Sequence, residues 1–76
     1  MAIELTPELI ALQEAADAAG RRVSETPNDG EARAAWFAAS AAVQAAVTDH
    51  AAASKWNRFE LEKALRTHVR HPELRD

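Results

Sequence analysis

The chain has 76 residues, nineteen of them alanine and none cysteine, so it makes one small domain at most, with no disulfide and no thiolate metal site. A domain of this size buries only about 60% of its unfolded surface, and buried alanine removes little apolar area, so a monomer core is marginal and self-association is the simplest support. The net charge of −3 argues against a general nucleic-acid binder, whose affinity comes mainly from neutralising phosphates.

The charge is unevenly placed. Residues 1–53 carry three basic and eight acidic side chains, and residues 54–76 carry six basic and four acidic ones plus two of the three histidines. Such a split favours head-to-tail contacts or an anionic partner at the C-terminal end. The first residues show neither a basic region nor an apolar core of the kind a signal peptide has, and no apolar run reaches the 18 or so residues of a membrane span. The expected location is therefore the cytoplasm, with no membrane partner. Seven arginines against two lysines, with so much alanine, suggest a bacterial source.

The first helix is expected over 7–25. Thr6 can cap it, Pro7 suits the first helical position, Glu8 complements the dipole, and Leu5 with Ile10 has the spacing of a hydrophobic staple. Leu5, Leu9, Leu12, Ala16, Ala19 and Val23 recur every three or four residues, while Gly20 weakens the end. Pro27-Asn28-Asp29-Gly30 is the one strong turn, spanning 26–30, and Asn28 with Glu31 has capping-box spacing for the next start.

Neither proline nor glycine follows until Pro72, and one helix over 31–70 is the favoured reading. Its basis is a stripe that holds phase at about 100° per residue: Trp36, Ala39, Val43, Ala46, Val47, His50, Ala53, Asn57, Leu61, Ala64, Leu65, His68 and Val69. The alternative is a break near 53–57, because Asn57 and Glu60 repeat the capping-box spacing and Ser54 is a tolerable stop. A frayed tail is expected at 71–76.

The expected fold is all-α: a helical hairpin with a long second helix, pairing into an antiparallel dimeric four-helix bundle, with a three-helix bundle as alternative. A helix of 40 residues would span about 60 Å and outrun a first helix of about 28 Å, leaving seam for a second copy to cover. The expected interaction seam is Trp36, Val43, Val47, His50, Asn57, Leu61, Leu65 and His68, with Asn57 fixing register.

A second face carries Phe59, Lys63, Arg66 and Arg70 at i, i+4, i+7 and i+11, a candidate surface for an anionic partner. His68 and His71 have helical spacing, but two ligands without a third make no zinc site. Ser24, Ser40 and Ser54 have no patterned base, Glu60 and Glu62 lie on different faces, and two glycines cannot form a phosphate loop. No catalytic residue, metal or cofactor is expected.

Residues 27–36 are a little similar to the turn and helix start of a tetratricopeptide repeat, with Ala39-Ser40 and Val43 where that repeat carries Leu-Gly and Tyr. Residues 47–66 loosely resemble a helix-turn-helix. Ala51, Trp56, Leu61 and Ala64 take its apolar positions, Asn57 would cap the recognition helix, and Lys55 stands at the turn glycine. That resemblance covers about a quarter of the chain and implies, as alternative, a small DNA-binding regulator using residues 56–70. The favoured reading is a non-enzymatic interaction or adaptor protein acting through helix-to-helix contacts, with itself and another helical protein as partners.

Overall fold

The computed structural model describes residues 5–71 and Glu73. They form three helices, α1 (Pro7–Glu25), α2 (Gly30–Ser54) and α3 (Arg58–Arg70), with no strand among the described residues. Of the tail expected at 71–76, all but His71 and Glu73 lies outside the described residues.

α1 starts where its capping residues place it. Thr6 is extended at φ −79°, ψ 152°, and its hydroxyl accepts the Leu9 amide at 3.1 Å, with Pro7 opening the helix. Pro27 forces the residue before it out of helical geometry, and Thr26 sits at φ −132°, ψ 69°. The next start differs from the expected one by a residue. Asp29, not Asn28, caps α2, its carboxylate accepting the Glu31 amide at 2.9 Å and the Ala32 amide at 3.3 Å. A charged acceptor complements the helix dipole, and the Asp29 amide is itself engaged by the Thr26 carbonyl at 3.0 Å.

The single helix over 31–70 does not form. α2 ends at Ser54, Lys55 turns left-handed at φ 61°, ψ 26°, and the amides of Lys55 and Trp56 both donate to the Ala51 carbonyl. Converging two amides on one carbonyl closes the helix in the manner of a glycine-type C-cap, here without the glycine. Asn57 then begins α3, its side-chain oxygen accepting the amides of Phe59 at 2.9 Å and Glu60 at 3.2 Å. Asn57 is therefore a cap on an exposed corner, not a register-setting polar residue in a seam.

The core lies where the three helices meet. α1 supplies Leu9 and Ala16, α2 supplies Val43, Val47 and Ala51, and α3 supplies Leu61 and Leu65. Leu5, Ile10, Leu12, Ala39, Ala46 and Val69 pack around them. Val47, Leu61 and Leu65 have no exposed surface, and each fully buried leucine contributes about 1.5–3 kcal/mol. α1 and α2 pack together over much more of their length than either does against α3. The fold is a three-helix arrangement in which α3 closes one end of an α1–α2 hairpin.

Candidate interaction surfaces

Four of the eight expected seam residues, Val43, Val47, Leu61 and Leu65, are buried inside the chain itself. His50 and His68 are half-buried, while Trp36 and Asn57 are exposed. The stripe therefore faces α1 within one molecule and is not a free surface for a second copy. With the helix broken at Lys55, the overhang that called for a second chain disappears.

The second expected face is partly redirected. Arg70 closes a two-pronged bridge to Asp17 on α1, with Nη2 to Oδ1 at 2.8 Å and Nε to Oδ2 at 3.1 Å. Gln13, a buried side chain one turn earlier, donates to the same Asp17 Oδ1 at 2.9 Å. The Arg70 guanidinium holds the Asp17 carboxyl below the usual carboxylate range; partial burial opposes this, and Gln13 adds to the lowering. Arg70 thus ties the last turn of α3 to α1 and is not available to an anionic partner.

A second polar network joins α2 to α3. Gln44 donates to Glu62 Oε1 at 3.0 Å and accepts from the Arg58 guanidinium. Between the two networks lies a cleft of about 190 Å³, walled by Trp36 and Val43 and edged by Arg66. It is smaller than the roughly 300–1,000 Å³ of ordinary ligand pockets. The other two cations of the expected basic face, Lys63 and Arg66, are exposed and make no hydrogen bond or ion pair among the described residues. Phe59 beside them is 79% exposed.

The outer face of α2, which the stripe of larger residues does not mark, is an uncharged and exposed row among the described residues. Ala34, Phe37, Ala38, Ala41, Ala45, Thr48 and Ala52 are all exposed and recur at three- and four-residue spacing on the side opposite Val43 and Val47. α2 is apolar nearly all round, a pattern ordinarily found in buried helices. Phe37 is 67% exposed and Trp36 41%, their ring centroids 5.8 Å apart. The signal was legible in the alanine spacing, but the larger residues of the opposite stripe dominated it.

His71 Nδ1 lies 3.1 Å from Glu73 Oε1, and no group of three or more His, Asp or Glu side chains suited to a metal occurs among the described residues. No helix among them is long and apolar enough to cross a membrane. No family model, curated protein or solved structure matches the chain.

Proposed function

We propose that this chain is a small non-enzymatic interaction protein that acts through helix-to-helix contact, as a homodimer joined along the outer face of α2. One observation carries the reading. The stripe Ala34, Ala38, Ala41, Ala45, Thr48, Ala52 is uncharged, exposed and spaced 4-3-4-3-4 along the helix. That spacing reads the same in both directions about position 43. An isologous two-fold contact needs such a self-complementary patch, and an antiparallel pair would set 34 against 52, 38 against 48 and 41 against 45. Small side chains let two helix backbones approach closely, and Phe37 on the flank supplies the larger apolar area.

The contact moves from the seam to the opposite side of the same helix. This reading keeps the expected association and gives it another surface, because the seam is used internally. Light scattering at tens of micromolar should give twice the 8.3 kDa chain mass. Mixing Ala41→Cys with Ala45→Cys should give a heterodimeric disulfide in preference to either homodimeric one. A monomer whose melting temperature is unchanged by dilution would overturn the reading, since a dimer's stability depends on its concentration.

A DNA-binding regulator is the second reading, favoured by one feature. The α2–turn–α3 unit has a three-residue connection, a left-handed turn residue and an N-capped following helix, as helix-turn-helix units do. With Arg70 engaged by Asp17, binding to mixed duplex DNA should be no tighter than about 10 µM at low salt.

A further inference from the structure

We infer that the Phe59 face of α3 docks an acidic segment of another protein, one that carries an apolar side chain with two carboxylates in a row to one side of it. Phe59 is the most exposed of the large hydrophobic residues, at 79%. Lys63 and Arg66 follow it at i+4 and i+7, on the same side of the helix. Neither is engaged by an acid among the described residues, whereas the other two cations of α3 are committed, Arg58 to Gln44 and Arg70 to Asp17.

The acids of α3 lie beside the row of Phe59, Lys63 and Arg66 and do not interrupt it, and Glu62 lines the same cleft as Arg66. Glu62 is drawn toward α2 by its 3.0 Å hydrogen bond from Gln44, and Glu60 points about 100° away around the helix. The result is an apolar residue at one end of a row, followed by two cations about one and two turns on. Its complement is an apolar residue with two carboxylates in a row to one side of it, and the charges would steer and orient such a segment more than they would tighten it.

Nucleic acid fits the same face less well. Two uncommitted cations neutralise few phosphates, and affinity for a phosphate backbone grows with the number neutralised. The rest of the chain is acidic, with five more negative than positive side chains in residues 1–53. The face lies on a different helix from the proposed α2 contact, so either idea can fail without the other.

The test titrates the isotope-labelled full chain with a blocked helical peptide of about twelve residues, a leucine followed by glutamates one and two turns on. Amide shifts should saturate and centre on Phe59, Lys63 and Arg66, leaving the outer face of α2 unmoved. Phe59→Ala and Arg66→Glu should each weaken binding about tenfold or more, and Arg66→Lys should largely retain it. All three positions are exposed, and an unchanged helical circular-dichroism spectrum would show that the variants fold. Three results would overturn the inference: no saturable shift, equal shifts with a peptide carrying lysine in place of glutamate, or tighter binding to duplex DNA or to vesicles of anionic lipid.

Discussion

Trp36 on α2 rests its indole against Gly20 on α1, so closely that a Cβ at position 20 would stand 3.2 Å from Trp36 Nε1. The glycine sits inside a helix, where it costs about 1 kcal/mol relative to alanine. Its value is the space it leaves for the indole at the crossing of the two helices.

Gly20→Ala therefore sets two effects against each other. Helix propensity favours alanine by about 1 kcal/mol, and the crowded indole must retreat by a few tenths of an ångström. Trp36 is 41% exposed and can move outward, so the net change should be a gain of less than 1 kcal/mol, with a shift in tryptophan emission. In a Trp36→Ala background the same substitution should yield the full helix-propensity gain of about 1 kcal/mol. Equal effects in both backgrounds by denaturant titration would show that the two residues are uncoupled.

The α2–α3 corner invites two substitutions of opposite sign. Lys55 adopts φ 61°, a conformation that costs a non-glycine residue about 1 kcal/mol or more, so Lys55→Gly should stabilise by about 1 kcal/mol. Asn57 satisfies two amides at the start of α3, so Asn57→Leu should destabilise by about 0.5–2 kcal/mol. A raised melting temperature for Asn57→Leu is the outcome expected of a buried seam residue, and it would refute the cap.

The Asp17–Arg70 bridge gives stability a defined dependence on pH. Asp17 has a lowered pKa in the folded chain, so its stabilisation is fully present above the unfolded value of 3.8 and is lost as pH falls through the folded value. Arg70 stays protonated throughout and contributes no titration in this range. Its side chain is about half exposed, so solvent screening keeps the bridge to roughly 1 kcal/mol or less. Melting temperature should fall below about pH 4, and Asp17→Asn should flatten that fall while lowering stability at pH 7. An unchanged acid limb in Asp17→Asn would assign the loss to other carboxylates.

The helical class and the first helix were legible because their signals are local. Thr6, Pro7 and the Pro27 turn act within a few residues, and their geometry does not depend on what packs above them. The long second helix was misread because its stripe keeps phase across the break. Val43 and Val47 on α2, and Leu61 and Leu65 on α3, all enter one core with Leu9 and Ala16 of α1, so two helices feeding one core imitate one continuous helix. What separates the cases is the left-handed Lys55 and the Asn57 cap, of which only the second has a sequence signature. The Arg70–Asp17 pair joins residues 53 apart in the chain, a separation over which helical periodicity carries no information. Phe59, Lys63 and Arg66 of the basic face are exposed, while Arg70 is engaged by that distant partner.

The unequal packing of the three helices implies a molecule with two levels of permanence. α1 and α2 clasp each other along most of their length, while α3 is secured by two leucines, one bridge to Asp17 and the Gln44 bonds. The last helix is therefore expected to open first in hydrogen exchange, and such an opening would uncover Val47 together with Leu61 and Leu65. The hairpin would persist through that excursion, with the same apolar surface exposed on the hairpin and on the swung-out helix. Amides of Leu61 and Leu65, though wholly buried, belong to a door and not to a wall.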